Sequence, residues 1–302
     1  MDFIQVKGNT YAIDGPQLIG LYKIDDTRCL LFDPASAKLR EGIEEILHRE
    51  NLTVAGVVCT HMHYDHHENT RYFRETCGAQ TCLPQIEADI VRCEQSLKNH
   101  LFNFTMGWVR NYPRLQNLIC PVDRVIGLEE DSIEFCGVRL GIVHTPGHSP
   151  DHICIITPDN VCFAGDTLMT EDILKDAMVP FVFDMTDDLA SKEKMKSLPC
   201  DAYIFCHKGI VYGPVAQLAQ DNIDRIRQQL GVIADLVTGP MTYSEFYETV
   251  ITALSLPVGH PLRAQHLERY LRPYIEYLVD VGRFDLIDRN GAPAVCPGEK
   301  PL

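Results

Sequence analysis

Several absences narrow this 302-residue chain first. No stretch approaches the roughly 18 apolar residues that a membrane-spanning helix needs, and the opening MDFIQVKGNTYAIDG lacks the basic-then-apolar plan of a signal peptide. We therefore expect no membrane role and a cytoplasmic location. Basic side chains are outnumbered, 27 against 42 acidic, for a formal charge of −15. Such a surface on average repels phosphate backbones and anionic lipid, which disfavours broad, sequence-independent nucleic-acid binding. Twelve cysteines are present, yet no two form a C-x-x-C pair, and many sit inside apolar runs such as RCLLFD, VVCT and HICII. They read as buried free thiols acting as small hydrophobes in a reducing compartment, not as a disulfide scaffold. Neither an internal repeat nor a low-complexity linker is found.

What is present is an ordinary globular composition, 45% apolar and 23% charged. A chain of this length buries about 70–75% of the surface its unfolded form exposes, enough for one large domain or two unequal ones. DFIQV, YAID, LIGLYKI and RCLLFD read as short strands bounded by turn residues. Ser36 to Glu50 has helical spacing with Ser36 as its cap, and TVAGVVCT reads as a buried strand. IEADIVRCEQSLKNHLF again has helical spacing, and strands resume with SIEFCG, VRLGIVHT, HICIIT, VCFAG and AYIFC. From Pro214 the pattern turns helical, ending in a hairpin of RFDLID and APAVC around RNG. The order implies an α/β protein with mixed sheets over 1–213, followed by a mainly helical region over 214–302.

Metal-binding side chains fall at one kind of place in this pattern. His61, His63, Asp65 and His66 follow TVAGVVCT; His148 follows VRLGIVHT; Asp166 follows VCFAG; His207 follows AYIFC. Loops at the carboxyl ends of strands converge on one edge of a sheet, so residues distant in sequence meet in one crevice. Imidazole and carboxylate suit Zn²⁺, and H-x-H directs His61 and His63 to one side of an extended segment while Asp65 and His66 reach a second point. Each piece alone is weak, since a lone histidine is more often packed or at the surface. Together, in this order, they specify a metal site.

THMHYDHH, TPGHSPDH, FAGDTL and FCHKG resemble the successive metal motifs of the metallo-β-lactamase superfamily. The resemblance spans Asp2 to about Gly213 and implies an αβ/βα four-layer sandwich with a dinuclear site between two sheets, here with a C-terminal mainly helical, winged-helix-like extension. It implies that His61, His63 and His148 hold one divalent metal ion, that Asp65, His66 and His207 hold the second, and that Asp166 bridges both. Zinc is the expected metal; Fe or Mn accept the same ligands. One departure is Glu68, after His67, where many members have a glycine that helps the loop pass the metals. His67 itself reads as a neighbour of the ligands or a surface residue.

Such a pair of ions implies hydrolysis by a bridging hydroxide, with Asp65 also handling the proton. The ligand set is similar to that of glyoxalase II, and a small ester, thioester or lactone is the expected substrate, with a ribonuclease or phosphodiesterase as the alternative and a non-catalytic ligand-binding regulator as a third reading. The tail that grips glutathione in glyoxalase II is not recognisable after His207. Lys208 and Tyr212 flank a ligand and are candidates for substrate contact, equally consistent with a solvated lysine and a packed tyrosine. Phe102, Phe104, Met106 and Trp108 suit a wall over the metals or a core. The segment from Met241 carries six basic and eight acidic residues, poor for a nucleic-acid groove, so we expect the tail to pack, close the pocket or form a homodimer.

Overall fold

The computed structural model describes residues 1–176 and 178–300; Pro301 and Leu302, the end of the expected helical region, lie outside them. The chain opens with β1 (Asp2–Lys7), β2 (Thr10–Asp14), β3 (Ile19–Lys23) and β4 (Arg28–Phe32), then α1 (Arg40–Arg49) and β5 (Thr53–Val58). After α2 (Tyr64–His67) and α3 (Thr70–Cys77) come β6 (Gln80–Pro84), α4 (Gln85–Val91), α5 (Glu94–His100), α6 (Met106–Asn111), α7 (Pro113–Leu118) and β7 (Arg124–Ile126). Among the described residues these strands form one seven-stranded sheet in sequence order, antiparallel from β1 to β4 and parallel from β4 to β7.

The second sheet holds β8 (Ser132–Phe135), β9 (Val138–His144), β10 (Ile153–Ile156), β11 (Val161–Phe163), β12 (Ala202–Ile204) and β13 (Ile210–Tyr212), ordered β13-β12-β11-β10-β9-β8. Alternation along the strands sorts side chains into layers. Leu30, Phe32 and Val58 face Ile153, Ile155 and Phe163 in a core between the sheets. The intervening Leu31 and Val57 pack outward with Ile43, Ile46 and Phe73. On the far side Cys154, Cys162 and Tyr203 pack against Met195 and Ala219. Each fully buried Leu, Ile or Phe contributes about 1.5–3 kcal/mol, so the pattern fixes which face of each strand turns inward. This is the α/β four-layer sandwich. Its twelve cysteines are all free, and burial pushes the Cys29 thiol up to about 12, as expected of thiols that serve as small apolar side chains.

Between β11 and β12 lie α8 (Glu171–Asp176) and α9 (Met185–Met195), in a stretch of sequence with no clear periodicity. Beyond β13 come α10 (Ala216–Asp235), β14 (Met241–Thr242), α11 (Tyr243–Ala253), α12 (Pro261–Asp280), β15 (Phe284–Arg289) and β16 (Ala292–Pro297). They surround a third core containing Ile226, Leu230, Phe246, Leu271 and Ile275, which Val182 and Met185 also join. Thr242 starts α11 through a capping box with Glu245. The hairpin turns on Asn290 and Gly291, both at positive φ, with Arg289 opposite Ala292. No helix among the described residues is long and apolar enough to cross a membrane.

Two local expectations need correction. Ser36 makes no side-chain cap; a 3₁₀ turn over Ala37–Leu39 precedes α1, and the Ala37 N–H is taken instead by Glu68 Oε2 at 3.0 Å. The helical pattern over Ile86–Phe102 breaks at Cys93, whose extended backbone separates α4 from α5.

Candidate metal centre

All four groups of metal-binding side chains lie just past strand ends, on one edge of the sandwich: His61 and His63 after β5, His148 after β9, Asp166 after β11 and His207 after β12. The Ile153 N–H donates to Thr60 C=O at 3.1 Å, tying the loop after β5 to the second sheet. Asp65 and His66 lie on α2, which turns the chain back over that edge. His61 Nε2 and His63 Nδ1 are 2.9 Å apart, and His148 Nε2 is 3.0 Å from His63 Nδ1. Burial, with repulsion from neighbouring imidazoles, holds His61 and His63 well below the usual histidine range, and burial lowers His148 as well. Three uncharged rings thus crowd their nitrogens together, an arrangement that a cation sharing their lone pairs relieves.

A second group forms around one carboxylate oxygen. Asp166 Oδ2 is 3.1 Å from His207 Nε2 and 3.3 Å from both His66 Nε2 and His148 Nε2. Asp65 Oδ2 stands 3.5 Å from His207 Nε2 and 3.7 Å from His66 Nε2. Despite burial, which opposes it, the three imidazoles around Asp166 hold its carboxyl well below the usual carboxylate range. The Asp166 carboxylate in turn raises His207. His66 Nε2 and Asp166 Oδ1 are buried with no hydrogen-bond partner. Unpartnered buried polar atoms are costly, and here they face a cluster of His and Asp donors that fits divalent ions.

Asp33 orients both groups. Its Oδ1 accepts the Thr60 N–H at 2.7 Å; its Oδ2 accepts the Thr60 hydroxyl at 2.6 Å and His66 Nδ1–H at 2.9 Å. The Thr60 oxygen, its proton committed to Asp33, accepts from His61 Nδ1 at 2.9 Å. Both Nδ1–H bonds therefore point away from the cluster and turn Nε2 toward it. On His66, despite burial, the nearby Asp166 carboxylate raises the ring well above the usual histidine range, so a bound ion would take the place of a proton there. Behind Asp166, His152 Nε2 accepts the Asp166 N–H at 3.1 Å and its Nδ1–H meets the Thr145 hydroxyl at 2.9 Å. Gly165 makes this approach possible: at φ 50°, a Cβ there would lie 2.5 Å from His152 Nε2 and 2.6 Å from Thr60 Oγ.

Glu87, on α4, is fully buried and fastens two loops at once. Its Oε2 accepts the Met62 N–H at 3.1 Å, between His61 and His63; its Oε1 accepts the Ser149 hydroxyl at 2.7 Å and the Asp151 N–H at 3.0 Å, beside His148. Burial pushes its carboxyl up to about 7, against the lowering effect of those three bonds. His67 is fully buried, with Nδ1 3.4 Å from Cys59 Sγ, which removes the surface alternative. Glu68 is buried too; besides Ala37 it accepts from Asn117 Nδ2 at 3.1 Å. Its right-handed helical backbone shows that no glycine is required at this position.

The cluster opens into a cavity of about 450 Å³. Leu101, Phe104, Leu115 and Leu118 form an apolar wall, while α12 contributes Arg263, His266, Arg269 and Tyr270 as a roof. Phe181 links roof and centre, its ring 4.8 Å from Tyr270, 5.2 Å from His63 and 5.5 Å from His148. Lys208 and Tyr212 do not border the cavity. β12 runs toward the site and β13 runs back, so Tyr212 pairs with Ala202 at the far end and is 64% exposed. Of the four aromatic-segment residues, Phe104 lines the cavity, Met106 and Trp108 pack on the outer core, and Phe102 is half exposed.

A family model described as "Metallo-beta-lactamase superfamily" matches residues 12–207. A hydroxyacylglutathione hydrolase of Xylella fastidiosa is 30% identical over 149 residues, 47% of this chain and 56% of that protein. An atrochrysone carboxyl ACP thioesterase of Passalora fulva is 22% identical over 246 residues, 78% of this chain and 61% of that one. The chain thus spans little more than half the length of these curated relatives. A solved metallo-beta-lactamase family protein of Thermus thermophilus superposes with a TM-score of 0.72 at 20% identity, covering 95% of this chain and 98% of that one, so the fold is shared through the C-terminal elements. The match over more than half the chain, on the sandwich that carries this cluster, makes the protein a member of the metallo-beta-lactamase superfamily.

Proposed function

We propose that this protein is a hydrolase of small acyl compounds, a thioester first and an ester or lactone second, working with two divalent ions, zinc by preference. The observation that carries the reading is the position of Asp166 Oδ2, within 3.3 Å of His148 on one side and of His66 and His207 on the other. In this reading His61, His63 and His148 hold one ion, Asp65, His66 and His207 the other, and Asp166 stands between. Two such ions supply an acidified water and polarisation of the attacked carbonyl. The chain's own residues do the rest. Asp65, partly exposed to the cavity, holds a ligand position and carries the proton passed to the departing group. Asp33 and Glu87 keep the histidines in place. The wall of Leu101, Phe104, Leu115 and Leu118 receives an apolar acyl chain and keeps water from it.

The thioester preference draws on the relatives, one named a hydroxyacylglutathione hydrolase and the other an ACP thioesterase. Apolar walls suit an acyl chain better than a polynucleotide, which places ribonuclease second. The test is a panel of thioesters, esters and lactones beside a fluorogenic RNA, with the protein loaded in turn with Zn, Fe or Mn. Thioester turnover should exceed RNA cleavage and vanish on chelation. Asp65→Asn should lower kcat by about 10²–10⁴-fold, the range for a positioned proton-transfer group; unchanged turnover in that variant, or RNA cleavage alone, would overturn the reading.

A further inference from the structure

The roof of the cavity carries two guanidinium groups that form no ion pair among the described residues; the nearest acidic influence on Arg269 is Glu268, its neighbour in sequence. Residues 263, 266 and 269–270 recur at three- and four-residue steps, so one face of α12 meets the cavity. Arg269 is largely enclosed, and desolvation lowers its pKa. Two of its N–H groups go to His100, to the backbone oxygen at 2.7 Å and to Nε2 at 3.2 Å. His100 is an uncharged acceptor, since burial pushes it down to about 3. Arg263 gives Nε–H to Pro257 C=O at 3.3 Å and lies over the Tyr270 ring at 5.6 Å. Among the described residues neither guanidinium has a carboxylate within 4.0 Å. Arg272, on the same helix, pairs with Glu276 at 2.8 Å, and Arg283 pairs with Asp235 at 3.2 Å. In a chain with 42 acidic and 27 basic side chains, carboxylates are abundant, yet these two cations lack them.

An enclosed cation without a counter-ion is destabilising, and the guanidinium fork matches carboxylate and phosphate oxygens. Of the five N–H donors on Arg269, three remain for a ligand. Arg263 sits in the first turn of α12, where the helix dipole is also positive. The carboxylates that do border the cavity, Asp65 and Asp166, belong to the metal cluster. We infer that Arg263 and Arg269 form an anion subsite that selects acyl compounds carrying a carboxylate or phosphate on an otherwise apolar body. The anion sits under α12, the apolar body lies along Leu101, Phe104 and Leu115, and the scissile carbonyl reaches the His and Asp cluster. This assignment rests on the acyl-hydrolase reading for the role of the cluster, but not for the binding itself.

The experiment is titration calorimetry of the metal-loaded protein with hexanoate, hexyl phosphate and 1-hexanol, on the wild type, Arg263→Met, Arg269→Lys and Arg263→Met/Arg269→Met. We expect the wild type to bind at least one of the two anions tenfold or more tightly than hexanol. Arg269→Lys should keep part of that preference, the double variant should lose it, and hexanol affinity should stay within twofold throughout. The larger arginine-dependent ratio identifies the anion as carboxylate or phosphate. Anion binding that survives in the double variant, as capture by the metals alone would give, overturns the subsite. So does a fall of hexanol affinity in step with the anions. Arginine-dependent binding in a protein that cleaves no thioester, ester or lactone would retire the hydrolase reading and leave the subsite standing.

Discussion

Glu87→Gln isolates one buried carboxylate whose effect changes sign with pH. In the wild type two oxygens accept three hydrogen bonds, from Met62, Ser149 and Asp151. The neutral acid that prevails below about pH 7 still has a lone pair on each oxygen for these donors, whereas the amide keeps only its oxygen for Ser149 and Asp151 and turns NH₂ toward the Met62 N–H, a buried donor facing a donor, which costs about 1–3 kcal/mol. Against this stands the charge. Burial raises the folded-state pKa from 4.5 to about 7. A raised pKa means the folded protein holds a proton that the unfolded chain has released, so the associated stability is full below pH 4.5 and is lost as pH rises through 7. At 1.36 kcal/mol per unit, the wild type gives up about 3 kcal/mol across that window, and the glutamine variant does not.

The assay is denaturant unfolding of both proteins in chelator at intervals from pH 5 to pH 8. Holding both metal-free prevents occupancy from drifting with pH, and the histidines common to both cancel in the difference. At pH 5 the variant should be the weaker by about 1–3 kcal/mol, and by pH 8 the two should meet or cross. A difference constant within about 0.5 kcal/mol across the range, or a variant that weakens further as pH rises, would refute the burial argument.

Asp33→Asn should lower metal affinity by about 10–100-fold, because one carboxylate sets the ring tautomers of both His61 and His66; competition against a chromophoric chelator measures it, and unchanged affinity would remove Asp33 from that role. Gly147→Ala should lower Tm by about 4–6 °C in a chain of this length. Gly147 has φ 125°, and a Cβ there would strike the Asp188 backbone, a combined strain on the order of 3 kcal/mol; a shift under 1 °C would mean that the loop before His148 yields freely.

Strand ends were the legible part of this protein. Apolar runs marked β5, β9, β11 and β12, and the loops just past their ends pointed to His61, His63, Asp65, His66, His148, Asp166 and His207, which the fold brings together in one cluster. The same signal applied to RCLLFD would also have marked Asp33, which ends that run immediately after β4. Lys208 and Tyr212 show where the method fails: nearness in sequence to His207 says nothing once β13 reverses direction. Glu87 left no local trace, since its importance comes from α4 packing under two distant loops. Nor did the tail's near-balanced charge show that two of its five arginines turn to the cavity with no carboxylate paired to them among the described residues, because the surroundings of Arg269 are set by packing against His100, 169 residues away. Glu68 looked like a local defect, yet its value lies in remote partners, Ala37 and Asn117.

That the cavity's roof comes from α12 has a consequence for synthesis. His207, the last of the cluster, leaves the ribosome 63 residues before Tyr270. At about 5–20 residues per second, the nascent sandwich waits about 3–13 s with its crevice uncovered. Ions can therefore enter before the helix lands, whereas in a released chain Arg263 and Arg269 already stand over the crevice. Metal uptake by ribosome-held chains arrested before α12 emerges should outpace uptake by finished apoprotein; equal rates would show that the roof opens readily on its own.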